Sequence, residues 1–323
     1  MITVIGESLV DIISDPHREA PAQGSSTQGT STQAHPGGSP LNVAVGAARL
    51  GLATTLVTHY AADPFGDMIE SHLNTNGVTA VRGGTAPTST ATATLDPDGG
   101  ATYAFDISWD INGAALPALE AVQDSEHVHA GSIAAVLAPG DQATLALLAA
   151  AAKHASISYD PNCRPGISPD VAAARAQAER FVAASDIVKA SDEDLGWLYP
   201  DRTPEETLSA WLELGPAVVA MTRGAAGPVI LSRRGRVELA AEAITVADTV
   251  GAGDSFMAAL ISGLDQLSAL GAAGRPRLQA LTVEDLRALA AYANRAAAIT
   301  CSRPGANPPR TAELGHLTMP LQA

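Results

Sequence analysis

Three features predict an α/β fold: a central, mostly parallel β-sheet flanked by helices, with a small β-lid added to it. Apolar runs of strand length recur along the chain, longer Ala- and Leu-rich runs separate them, and one stretch carries two period-2 runs around a turn. The strand-length runs fall at 3–6, 54–58, 127–130, 157–160, 186–189, 217–221 and 229–231. Helical stretches such as 142–153, 171–184 and 205–214 lie between them. Strands alternating with helices of this length argue for βαβ units and a sheet covered on both faces. No internal repeat stands out.

Two segments break the alternation. Residues 19–34 (EAPAQGSSTQGTSTQA) are small and polar, a composition that buries too little surface to order itself, so they read as a flexible loop tip. Residues 88–107 read TSTATATL, DPDGG and ATYAFDI, hence a hairpin. Thr88, Thr90, Thr92 and Thr94 share one of its faces; Ala91, Ala93, Leu95, Tyr103, Phe105 and Ile107 form the other. A hairpin set inside a βαβ chain is a candidate lid, with a plain β-extension or a dimer contact as the alternatives.

At 323 residues the chain is long enough for one large α/β domain or two smaller ones. Hydrophobic residues make up 46% and charged residues 16%, an ordinary globular composition. A net charge of −15 with no basic stripe excludes nucleic acid as the expected partner. Two distant cysteines, Cys163 and Cys301, exclude a disulfide scaffold or zinc ribbon. The N-terminus has no basic segment before its short apolar run, and no run reaches membrane-span length, so a cytoplasmic protein with no membrane partner is expected.

The chemistry concentrates in two motifs. In DTVGAGDSF (248–256), Gly251 and Gly253 let the backbone turn sharply into an apolar helix at 255–264. Such a turn presents unpaired N–H groups at the positive end of a helix dipole, which makes it an anion site. Asp254 inside an anion site makes sense where a carboxylate must take a proton from a hydroxyl attacking a phosphoryl group. Its ordinary reading is a helix N-cap. In PGGSPLNVAVGAARLG (36–51), Ser39 reads as an N-cap before Pro40, and Gly51 as the residue that ends the helix. Capping leaves Gly37, Gly38 and Asn42 unexplained; a glycine pair admits a ligand close to the backbone, and an amide both donates to and accepts from hydroxyls.

These two motifs, in this order along nearly the whole chain, resemble the two signatures of the ribokinase-like carbohydrate kinases. The resemblance implies a single domain over 1–323 that phosphorylates a sugar with ATP, with lid segments near 10–36 and 86–110. Asp254 would then be the catalytic base, and Gly251, Ala252 and Gly253 the anion hole. Asp11, Gly37, Gly38 and Asn42 would bind sugar hydroxyls. The run 189–195 (KASDEDL) resembles the stretch that organises Mg2+ and the nucleotide phosphates, through Lys189, Ser191 and Asp194. Thr222, Gly224 and Gly227 match the family's nucleotide loop, and Asn294 falls at its adenine pocket. Asp248 and the Val250 carbonyl lie where the family often holds K+. The oligomeric state expected is monomer or homodimer.

Two departures bear on substrate. Ser191 and Asp194 replace the usual Asn-x-x-Glu, so the shorter carboxylate is expected to meet Mg2+ through water. Leu9 stands where ribokinase itself carries an amide, which speaks against ribose. DPNCRPG (160–166), with Arg164 as a donor fork, and CSRPGANPP look most like bacterial fructokinases, so D-fructose is the expected sugar. Kinases of 2-keto-3-deoxygluconate share the Asp-x-Asn-x-Arg pattern and remain the alternative. Tyr103, Phe105 and Trp109 are candidates to close over the sugar, set against the commoner role of such residues in a core. His127 and His129 share a strand face but bring no third metal ligand. A Rossmann dehydrogenase is disfavoured because GAGDSF lacks the third glycine, and no P-loop occurs. A sugar-binding regulator is the other rival, against which the intact Asp254 argues.

Overall fold

The computed structural model describes residues 1–19, 30–95 and 101–319. Its strands are β1 (Ile2–Ile5), β2 (Leu9–Glu19), β3 (Thr30–Gly37), β4 (Thr54–His59), β5 (Val78–Gly83), β6 (Ser89–Leu95), β7 (Ala101–Asp106), β8 (His127–Gly131), β9 (Ser156–Asp160), β10 (Ile187–Ser191), β11 (Val218–Thr222), β12 (Val229–Ser232) and β13 (Gly235–Glu238). The helices are α1 (Ser39–Arg49), α2 (Pro64–Thr75), α3 (Ala115–Gln123), α4 (Gly140–Ala151), α5 (Val171–Ala183), α6 (Asp192–Leu198), α7 (Pro204–Leu214), α8 (Ala252–Gln266), α9 (Gly271–Gln279), α10 (Val283–Cys301) and α11 (Thr311–Leu314). Each strand expected from the sequence is present to within a residue or two, and β5 and β13 extend the sheet at its two edges.

The main sheet runs β13-β12-β11-β10-β9-β8-β1-β4-β5. Every pairing from β5 to β11 is parallel, and only β12 and β13 return antiparallel. Period-2 alternation sends Val4 and Ile187 to a core built with α1, α8 and α10, and Ile5 and Val188 to a second core under α3 to α7. Among the described residues no single helix is long and apolar enough to cross a membrane.

One strip of the sheet is polar although buried. Val128, Ala130, Ile157 and Tyr159 face the second core. Their neighbours His127, His129, Ser156, Ser158 and Asp160 therefore lie on the α8 side, all fully enclosed. His127 bonds Ser156 and Ser158 at 2.8 Å each, and His129 bonds Ser158 at 2.9 Å. Burial pulls both imidazoles down to about 3, so they stay neutral and serve as hydrogen-bonded core. That satisfies them without a metal, and no cluster of three metal-ligating side chains occurs among the described residues.

A second, four-stranded sheet has the order β3-β2-β6-β7, with β2 parallel to β6 and the other pairs antiparallel. The hairpin register is the one the alternation predicts: Ala91 opposes Phe105 and Ala93 opposes Tyr103. Ile107 falls beyond the end of β7. The reading of 19–34 as loop is corrected at its ends, since Glu19 and Thr30 to Ala34 belong to β2 and β3; residues 20–29 lie outside the described residues. Polarity misled because a strand is held by its main-chain ladder, here Ala34 against Ile12 and Thr32 against Ser14, and β-branched Thr suits it.

Trp109 is core. It is 1% exposed, and its indole N–H donates to Thr144 at 3.2 Å. Phe105 keeps 42% exposure and approaches the loop after β9, where a Cβ on Gly166 would sit 3.4 Å from its ring. The Tyr103 side chain lies outside the described residues.

Candidate active site

The chain places its first strands on one side of β1 and its later ones on the other, so the strand order reverses between β1 and β8. In open α/β sheets the crevice past the carboxyl ends of the strands at such a reversal is where ligands bind. Asp11 follows β1, Arg164 follows β9, and Ser191 and Thr222 close β10 and β11 as cross-strand partners.

Asp254 sits in the first turn of α8 and is 8% exposed. It is not an N-cap: that position belongs to Gly251, and no side chain caps the helix. Its oxygens instead accept from another helix, Oδ1 from Ser39 Oγ at 2.6 Å and Oδ2 from Asn42 Nδ2 at 2.8 Å. Ser39 is therefore no cap either. Gly38 holds the N-cap position of α1 without a side-chain bond, at φ 104, where glycine is favoured and where a Cβ would meet the Glu7 carbonyl at 2.7 Å. Gly51 does follow the helix with φ 91, as expected.

The turn before Asp254 is tightly confined. Gly251 has φ 74, and a Cβ there would press on Ala306 at 2.6 Å. A Cβ on Gly253 would lie 2.8 Å from the Lys189 Nζ. Asp248 ties this turn to the segment after α10: its carboxylate accepts from Val250 N at 3.0 Å and Gly305 N at 2.8 Å.

At the end of β3, Gly37 leaves room for Asp11, whose carboxylate a Cβ would overlap. Burial raises the Asp11 pKa, Arg164 and His35 pull it back, and Asp254 pushes it up again, which puts the four groups in one electrostatic neighbourhood. Arg164 is exposed and braced on its own loop by Asn162 and Cys163 oxygens.

At the end of β10, Ser191 and Asp194 form a capping box on α6. Asp194 Oδ2 accepts from Ser191 N and Oγ at 2.8 and 2.7 Å, and Oδ1 from Cys163 N at 2.7 Å. Gly224 and Gly227, at φ 49 and 78, carry the turn out of β11, and Gly227 abuts the backbone of 239–241. The same segment is gripped from α10, where Asn294 donates to the Ala240 carbonyl at 3.0 Å.

Three residues at the crevice escaped the sequence reading. Ser39 fits the capping pattern, which hides its bond to Asp254. Asp160, inside DPNCRPG, is 1% exposed and bonds Lys189 at 2.7 Å; an acid closing an apolar strand was its signal. Glu7, in GESLVD, is 2% exposed and accepts from Ala134 N at 3.2 Å, bridging the ends of β1 and β8. Burial pushes its carboxyl up to about 7, against the pull of its Ser132 bond.

A raised native pKa stabilises fully below the unfolded value and loses that contribution as pH climbs through the native one. Glu7→Gln carries no such loss. Denaturation of both proteins at about pH 5 and about pH 8 should show the variant gaining on the wild type with rising pH, by up to about 3 kcal/mol. Parallel stabilities at both pH values would contradict this account of Glu7.

Residues 1–313 match the model of the pfkB family carbohydrate kinases. A fructokinase of Rhizobium leguminosarum bv. trifolii is 34% identical over 270 residues, covering 82% of this chain and 79% of that protein. A sugar kinase of Pyrococcus horikoshii, solved in complex with ATP, superimposes with a TM-score of 0.75 at 26% identity, over 97% of this chain and 96% of that one. A fructokinase of Xylella fastidiosa with bound ATP shares the fold, with a TM-score of 0.82 at 24% identity over 97% and 96% of the two chains. With the family's two signatures brought together at Asp254 and the match running nearly end to end, the chain belongs to the pfkB family of carbohydrate kinases.

Proposed function

We propose that the protein transfers the terminal phosphoryl group of ATP to D-fructose, giving fructose 6-phosphate. The observation that carries the reading is the Asp254 carboxylate, which stands at the head of the anion turn and is held by the helix that opens the sugar side. In this reading a sugar hydroxyl replaces Ser39 or Asn42 as donor to Asp254 and gives up its proton there as the phosphoryl group arrives. The N–H groups of Gly251, Ala252 and Gly253 receive the phosphate charge that develops. Asp11 and Asn42 orient the sugar from the Gly37–Gly38 edge, and the small sheet, with Phe105 near Gly166, covers it as a lid.

The nucleotide lies along Ser191, Thr222, Gly224 and Gly227. Its base meets the segment held by Asn294, which exposes Ile244, Val246 and Val250 as apolar surface. Asp194 suits a Mg2+ met through water, because both its oxygens already accept hydrogen bonds. Mg2+ on the phosphates would neutralise charge during transfer. The Asp248 carboxylate is occupied by N–H groups, as are the Cys301 and Gly305 carbonyls, which leaves the Val250 carbonyl and those of 302–304 as oxygen donors suited to K+.

Charge favours a neutral sugar over a sugar acid. Arg164 and His35 are the basic groups in this field, but Asp11 and Asp254 stand in it too, so a sugar acid would bring a further carboxylate beside two already there. This ranks fructose above 2-keto-3-deoxygluconate. The test is ADP release with ATP and Mg2+ over fructose, ribose, adenosine and 2-keto-3-deoxygluconate, in KCl and in tetramethylammonium chloride. Fructose should give the highest kcat/KM, and activity should drop without K+. A higher kcat/KM for any other acceptor rejects the sugar assignment; equal rates in both salts reject the K+ site. Tight sugar binding with no turnover would instead favour a regulator.

A further inference from the structure

We infer that Asp160 is a positioning residue for phosphoryl transfer: it fixes the Lys189 ammonium against the turn of residues 251–253, where that ammonium meets the phosphate. The inference rests on the kinase reading and adds to it a residue that touches neither substrate.

The placement follows from the sheet. Ser158 pairs with Ile187 and Tyr159 with Val188, so the next step along this parallel pair sets Asp160 beside Lys189. Both project to the α8 side, above the His–Ser strip. Their ion pair is 2.7 Å long, with side chains 1% and 5% exposed. The second Asp160 oxygen accepts from Asn162 N at 3.2 Å, so the carboxylate is anchored at both ends. Lysine has a flexible four-carbon stem and three donors, and one of them goes to Asp160. The ammonium lies so close to the anion turn that a Cβ on Gly253 would approach it to 2.8 Å. Gly253 lies in the first turn of α8, so a side chain there would disturb the ammonium and not the backbone turn.

Charge says why the pair is there. Burial alone would lower the Lys189 pKa, but Asp160, Asp194 and Asp254 all act on it and raise it instead. Three carboxylates around one ammonium leave the site negative, which opposes an incoming phosphate; Lys189 is the group that offsets them at the turn. A buried ion pair is a poor source of stability, since hydrophobic replacements often do as well. The strip below it shows the alternative this fold uses for plain packing: neutral His and Ser, mutually satisfied. An ammonium pinned under an anion site serves the ligand, where a desolvated cation is worth most.

Asp160→Asn keeps the size and one acceptor oxygen but removes the charge that keeps Lys189 protonated. The test is kcat and ATP affinity measured from about pH 7 to about pH 10, alongside Lys189→Met and the Asp160→Asn/Lys189→Met double variant. For Asp160→Asn, kcat should fall about tenfold with sugar KM nearly unchanged, and the alkaline fall of both kcat and ATP affinity should move to lower pH. Lys189→Met should bind ATP about tenfold more weakly. The double variant removes both charges, so its Tm should recover towards wild type while its turnover does not. Superimposable pH profiles for wild type and Asp160→Asn, or wild-type turnover in the double variant, overturn the inference. The ATP-affinity profiles judge it even if no sugar is turned over, an outcome that would sink only the kinase reading.

Discussion

Asp254→Asn should lower kcat by about 10²–10⁴-fold near neutral pH, the range a positioned general base contributes. Asparagine keeps the size of the side chain but cannot accept the proton released as the hydroxyl attacks. ATP binding should survive, because the N–H groups of 251–253 are untouched and a negative charge beside the phosphates is gone. Stability should fall modestly, since Ser39 and Asn42 now face one oxygen and one amide where both oxygens accepted. If Asp254 merely held helices α1 and α8 together, Asn would cost stability and leave turnover nearly intact. Steady-state kinetics with ATP and fructose, beside calorimetric titration of ATP, separate the two. Near-wild-type turnover in a folded variant would end the general-base assignment.

The alternation of strand-length and helix-length runs carried the sheet because a parallel strand covered on both faces shows its identity locally. Strands β2 and β3 were half hidden for the opposite reason: their polar residues are held by main-chain pairing with partners far away in sequence. The site was legible where chemistry demands a residue type in a fixed local spacing, as in GAGD and in the Gly-Gly pair. It was not legible where partners meet only in space. Ser39 looked like a cap because Ser-Pro before an apolar run usually is one. Its true partner lies 215 residues away on α8. Asp160 and Lys189 are 29 residues apart, and only the register of β9 and β10 makes them neighbours. Long-range pairing is what a single sequence conceals, and both the Asp254 and the Lys189 contacts depend on it.

Gly37→Ala should damage sugar binding through a residue it does not replace. Gly37 lies at the end of β3 in a backbone conformation open to any residue, so the added methyl brings no backbone strain. What it meets is the Asp11 carboxylate, the far end of a short side chain on the neighbouring strand. The carboxylate has to swing away, and with it goes its hold on the sugar hydroxyls. A hydrogen bond to a charged group contributes about 1.5–3 kcal/mol, so the sugar KM should rise about 10–150-fold. Turnover at saturating sugar should change far less, because Asp254 and the anion turn stay where they are. The KM for ATP should hold as well. Asp11→Asn should raise the sugar KM by a similar factor, and the double variant little more than either alone, since both changes remove one contact. Two independent, multiplying effects would mean that Gly37 and Asp11 act separately. An unchanged sugar KM in Gly37→Ala would show that Asp11 can yield its position at no cost, and so does not bind the sugar from there.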